Sequence, residues 1–188
     1  MADANITKKA LASAMKELMQ EKPFSKISIN DICSRCDMNR KSFYYHFQDK
    51  YDLVNWIFDV EFVAIAKSNC YTDTWEAFAD LFAYFYANRD FYRKALSVSG
   101  QNSLQEHFQE LLQPFITSRL AEELELENAP QKKKDFCSSF LADAFISAIE
   151  RWLLDKECMP AEEFLEMLRF IIARIVKLES NDDNASPI

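Results

Sequence analysis

The sequence predicts an all-α fold in two parts, a set of three short helices followed by a larger helical bundle. Three observations lead there. The chain of 188 residues holds one glycine, Gly100, and five prolines, which leaves little material for the positive-φ positions of hairpins. Apolar residues recur three and four apart along nearly the whole chain. Ser, Asn or Asp stands before most of these runs, where a helix needs a cap.

Taken in order, Ile6, Ala10, Leu11, Ala14, Met15 and Leu18 form one helical stripe that stops at Lys22-Pro23, because the residue before proline is driven out of the α region. Ser28 and Asp31 make a capping-box variant for a short second helix through Ile32 and Cys33 to about Cys36. After a tight turn at Asp37-Met38, Asn39 caps a third segment reaching Phe47. Asp49 and Asp52 open a longer helix with Leu53, Ile57, Val60 and Ala64 on one stripe, running to about Ser68. Asp73 and Glu76 cap a helix carrying Phe78, Leu81, Phe82 and Phe85; further helices are expected over about 90–98, 103–123, 133–156 and 160–178. Pro160 suits the first turn of the last of these. The organisation is a domain over residues 1–50, a second over 51–180, and a disordered tail over 181–188. No internal repeat is present.

Composition removes most enzymes. A single glycine excludes the dinucleotide and P-loop phosphate motifs, and two histidines leave little room for His-dependent catalysis or a His-rich metal site. No catalytic residue, metal or cofactor is expected. The first ten residues hold Asp3, Asn5 and two lysines before any apolar run, and the five cysteines suit a reducing interior, so a cytoplasmic protein with no membrane association is expected.

The net charge of −8 hides an asymmetry. Residues 1–56 carry nine Lys or Arg against seven Asp or Glu, a net of +2, whereas the rest of the chain carries 13 against 23, a net of −10. The third segment concentrates the positive side. On a helix, Phe43 and Phe47 share one face, and Arg40, Lys41, Tyr44, Tyr45 and His46 occupy the remaining arc. A short helix joined by a tight turn to the one before it, presenting basic and aromatic groups, is the geometry of a helix-turn-helix whose second helix enters the major groove. The candidate contacts to double-stranded DNA are Ser28, Asn39, Arg40, Lys41, Ser42, Tyr44, Tyr45, His46 and Lys50. Arg40 suits a guanine edge or a phosphate; Lys41 suits a phosphate as a point charge.

Residues 6–58, and above all the run Phe43-Tyr44-Tyr45-His46-Phe47-Gln48-Asp49-Lys50, resemble the DNA-binding domain of TetR/AcrR-family transcriptional regulators. That resemblance implies a three-helix helix-turn-helix domain, a larger helical C-terminal domain, a homodimer formed mainly by the last two helices, a palindromic operator, and control by an effector in the C-terminal domain. Where members commonly carry Ala-Gly in the turn, this chain has Cys36-Asp37. Within the family, Asn88-Arg89-Asp90-Phe91-Tyr92 and Asn55-Trp56-Ile57-Phe58 resemble a subgroup that includes activators of dihydroxyacetone kinase operons. In that subgroup the partner is a ligand-bound protein as readily as a free small molecule. Repression is the reading taken first, with activation open.

Other features have plainer readings. Cys33 and Cys36 fall on the inward face of the second helix with Ile29 and Ile32, and are read as small buried side chains. His107 beside Glu106 is read as an ordinary histidine, and the acidic run over 122–127 as a solvated helix end. Most of the aromatic residues are core; an effector site would draw on Phe82, Tyr86, Phe108, Phe115, Phe140 and Trp152. The last two helices are apolar over a wide arc, which predicts a dimer interface at Phe140, Ala144, Phe145, Ala148, Phe164, Leu168, Ile171, Ile172 and Ile175. The competing class is a protein-interaction module with a weak or vestigial helix-turn-helix.

Overall fold

The computed structural model describes residues 2–63, 71, 73–97, 104–123 and 130–182. Among these, all regular structure is helical. The order is α1 (Ala2–Glu21), a 3-10 turn (Phe24–Lys26), α2 (Ile29–Arg35), α3 (Arg40–His46), α4 (Lys50–Phe58) with a π-helical turn (Asp59–Val63), α5 (Thr74–Ala87), α6 (Arg89–Leu96), α7 (Leu104–Glu123), α8 (Gln131–Leu154) and α9 (Ala161–Asp182). Gly100, between the helices expected over 90–98 and 103–123, and the acidic residues Glu125 and Glu127 lie outside the described residues. The fourth helix widens into its π turn at Asp59; its predicted end at Ser68 also lies outside them. α9 runs on through Asn181 and Asp182, the first two residues of the expected tail.

The caps form as the residue types require. Ser28 and Asp31 close a capping box on α2, and the Asn39 carboxamide oxygen accepts from the Ser42 N–H. The α2–α3 turn is a Schellman closure: the Met38 N–H donates to the Cys33 carbonyl at 2.8 Å, and Asp37 takes the left-handed conformation at φ 53°.

Three helices build the N-terminal unit. α1 supplies Leu11, Met15 and Leu18 to a core shared with Phe24, Ile32, Phe43, Phe47 and Leu53. Polar ties brace it from outside: the Arg35 guanidinium makes a bidentate pair with Glu21 (2.8 and 2.7 Å), and Lys22 pairs with Asp31 at 2.9 Å. α4 then packs on both α1 and α7 and carries Phe58 into the centre of the molecule, where it stacks on Phe85 (5.9 Å) and Phe62 (5.6 Å). Beyond it α8 packs along α7, α9 on α5, and α6 touches α1 and α8. One continuous apolar core therefore joins Leu11 near one end to Ile172 near the other.

Candidate nucleic-acid interface

α3 is anchored from within. Phe43 and Phe47 are buried, 5.8 Å apart, and Phe47 meets Trp56 of α4 edge-on at 5.8 Å. Burying one such ring stabilises by about 1.5–3 kcal/mol, so the two fix the helix's rotation. The outward arc is then settled by the 3.6-residue period: Arg40 and Lys41 are exposed, Tyr44 is half exposed, and Tyr45 stands out at 82%. Arg40 folds toward Tyr44, donating to its hydroxyl at 3.3 Å, and His46 lies edge-on to Tyr45 at 4.9 Å. This arc holds two cations and two phenols in water, a surface suited to phosphate oxygens, sugars and base edges.

The remaining predicted contacts have structural employment. Asn39 is exposed, but its oxygen caps α3, accepting from the Ser42 N–H (2.8 Å) and hydroxyl (3.2 Å). The Ser28 hydroxyl donates to Asp31 at 2.8 Å and accepts from the Asp31 N–H at 3.2 Å. Lys50 departs furthest from expectation. Its ammonium donates to the carbonyls of Phe24 (2.9 Å), Ser25 (3.3 Å) and Ile27 (2.9 Å) and lies over the Phe24 ring. All three N–H groups are engaged within the protein, and burial lowers its pKa. It closes the 3-10 turn onto the start of α4 where a phosphate contact was expected.

The other two predicted groups divide. Of the effector candidates, Tyr86 and Trp152 stack at 6.3 Å and Trp152 meets Phe82 at 5.9 Å, forming one aromatic wall with Phe164. Phe108 belongs instead to the cluster around Phe58 and Phe85, and Phe115 touches Phe78. Phe140 is corrected: it is 62% exposed and stacked on Phe136, away from that wall. Of the interface candidates, Phe145, Phe164, Leu168 and Ile172 are buried inside the protomer, a correction that follows from α9 packing on α5 and α8 on α7. Phe140, Ala144 and Ile171 face outward, Ala148 is half buried, and the Ile175 side chain lies outside the described residues. Phe136, Met167 and Phe170, absent from the prediction, share the outward exposure. The wide apolar arc signalled that α8 and α9 have two apolar faces; it held no sign of which face turns in.

Cys33 is buried and Cys36 half buried, and burial pushes both thiols up, so neither is a ready nucleophile. Among the described residues no His, Cys, Asp and Glu cluster fit for a metal occurs, and no helix is long and apolar enough to cross a membrane. His107, read as an ordinary histidine, bonds Asp59 of the π turn at 2.8 Å.

Known proteins resemble this chain along most of its length. The family described as bacterial regulatory proteins, tetR family, matches residues 11–57, and the one described as transcriptional regulator C-terminal region matches residues 73–174. The HTH-type dhaKLM operon transcriptional activator DhaS of Lactococcus lactis subsp. lactis (strain IL1403) is 31% identical over 147 residues, 75% of this chain and 71% of that protein. Two solved structures share the fold: the dihydroxyacetone kinase operon activator DhaS (TM-score 0.67, 22% identity, 92% of this chain and 97% of that one) and a TetR transcriptional regulator from Streptococcus agalactiae 2603V (TM-score 0.68, 24% identity, 91% and 96%).

Proposed function

The chain belongs to the TetR family of transcriptional regulators, which are not enzymes, and from that premise we propose that it reads a palindromic operator as a homodimer. One observation carries this reading: buried Phe43 and Phe47 leave Arg40, Lys41, Tyr44 and Tyr45 together in water on one short helix. A single such helix contacts only a few base pairs. Two copies with recognition helices about 34–36 Å apart would enter successive major grooves and combine their affinities. The reading head is residues 1–50 and the body is residues 51–180.

The outward faces of α8 and α9 support pairing. Phe136 and Phe140 of α8, stacked on each other, and Met167, Phe170 and Ile171 of α9 are each at least half exposed, large apolar side chains left in water on both helices. A second copy would cover them. The Tyr86, Trp152 and Phe82 wall is the candidate lining of an effector site, with a small molecule or a ligand-bound protein as the effector. The relative's name, an operon activator, turns the expected repression toward activation. A protein that binds bacterial DNA in this way works in the cytoplasm.

The test is a salt-dependent mobility shift with the intergenic DNA flanking its gene. The wild type should retard it, with affinity falling steeply as salt rises. Arg40→Ala and Tyr45→Ala should each weaken binding by about tenfold or more at unchanged melting temperature, because neither side chain packs in the core. Normal binding by both variants would move the reading helix elsewhere, and no shift by the wild type would favour the interaction module.

A further inference from the structure

A cleft of about 500 Å³ separates the C-terminal half of α1 from α6, and Lys16, Arg93 and Lys94 line it. Its three cations already have protein partners. Lys16 pairs with Glu61 of the π turn at 2.6 Å. The neighbouring residues Arg93 and Lys94 reach in two directions, and each ends on the carbonyls of a different long helix.

The last carbonyls of a helix have no partner within it. At the end of α1 this need is acute: the donor four residues beyond Met19 would be Pro23, which has no N–H. Lys94 supplies the missing donor, bonding the Met19 carbonyl and reaching that of Gln20 at 3.5 Å. At the end of α8, the N–H four residues beyond Leu153 belongs to Glu157 and donates instead to the Asp155 carboxylate at 3.0 Å. Arg93 fills that vacancy, donating through Nε to the Leu153 carbonyl (3.1 Å) and through Nη2 to that of Asp155 (2.7 Å). A cation at a helix C-terminus also meets the negative end of the helix dipole. Between the two caps α6 is held fast: Tyr92, Ala95 and Leu96 are buried, and the Tyr92 and Tyr84 hydroxyls bond at 2.7 Å.

α1 carries the reading head, since it packs on α2, α3 and α4. α8 carries Phe136 and Phe140 of the outward apolar face. We propose that Arg93 and Lys94 are positioning residues for operator reading: α6 is a clamp that fixes the angle of the reading head on the body, and so the separation of the two recognition helices in the dimer. This rests on the homodimeric operator reading above. Without the Lys94 cap the end of α1 would be tied to the body only by apolar contacts and the Lys16–Glu61 pair, leaving the head to rock across the open cleft and the pair to accept half-sites at several spacings. A head clamped at α1 accepts one.

The experiment uses the full-length chain and duplexes carrying the half-site selected by the wild type, with the separation varied by one or two base pairs. The wild type should favour one separation by about tenfold or more, the scale of an ordinary coupling. Lys94→Met keeps the aliphatic stem and removes the donor; it should flatten the preference to about threefold or less while single half-site affinity stays unchanged. Lys94→Arg restores donors to the α1 carbonyls and should recover the preference, a rescue that a general loss of stability would not give. A sharp, wild-type preference in Lys94→Met overturns the clamp. Should that variant fail to melt cooperatively, Arg93→Gln at the other end carries the same expectation and the same refutation. A wild type that retards no duplex overturns the operator reading, and the clamp with it, a result distinct from a variant that binds with unaltered spacing.

Discussion

The outward arc of α3 and the outward faces of α8 and α9 both leave large rings in water, but the rings differ in kind. On α3 they are Tyr44 and Tyr45, each with a hydroxyl and with Arg40 and Lys41 alongside. On α8 and α9 they are Phe136, Phe140 and Phe170, joined by Met167 and Ile171, with no polar atom at their tips. Tyrosine tolerates water and a polar partner alike, so the α3 surface can wait for phosphates and bases without a cover. The phenylalanine surface gains only from another apolar surface, as in an interface core. The difference supports the proposal that one face meets nucleic acid and the other a copy of the same chain.

The largest expected effect breaks the second half of that comparison. Phe170→Glu should halve the mass seen by light scattering while leaving each protomer folded, because residue 170 faces solvent. Operator affinity should fall by two orders of magnitude or more, on the order of the avidity two linked sites supply. Ile172→Lys, two positions away, should instead abolish the cooperative melt, since Ile172 is 2% exposed and its replacement would bury an unpaired ammonium. If both variants simply dissociate, the inward and outward faces of α9 are assigned wrongly.

A smaller effect sharpens the first half. Asp37 holds φ 53° in the turn before α3, a conformation glycine adopts without strain. Asp37→Gly should raise stability by about 0.5–1 kcal/mol in urea unfolding. It should also tighten DNA binding at low salt by removing an anion near the duplex. Unchanged stability would show that the Schellman closure already absorbs the strain.

The smallest is a pH effect. The Ser28 backbone N–H, then Lys22 and the Ser28 hydroxyl, hold the Asp31 carboxyl well below its ordinary value. A depressed carboxylate stabilises fully above its unfolded pKa, near 4, and that stabilisation is lost as pH falls through the lower folded value. Asp31→Asn should therefore give a shallower loss of stability below about pH 4, while DNA contacts at neutral pH stay as they were. Identical acid limbs for the two proteins would remove Asp31 from the account.

Much of this was legible before any coordinates. The Ser28 box, the Asn39 cap and the inward pair Phe43 and Phe47 follow from spacings of three and four residues, and the exposed arc of α3 follows from the same period. The bonds of Lys50 had no local signal, because its partners lie 23 to 26 residues earlier, in a turn whose approach to α4 no local pattern describes. Arg93 likewise gave no local signal, since its acceptor at Leu153 is 60 residues away.

By itself the sequence determined the helices, their caps and the surface chemistry of α3, because hydrogen bonds and side-chain neighbours within one helix are set by residues at most a few positions apart. Which apolar face of α8 and α9 turns inward, and which cations end on carbonyls and which stay in water, were decided only when distant helices met. Burial is a property of the assembled surface, and a stripe of phenylalanines looks the same on either side of a helix until another helix covers one of them.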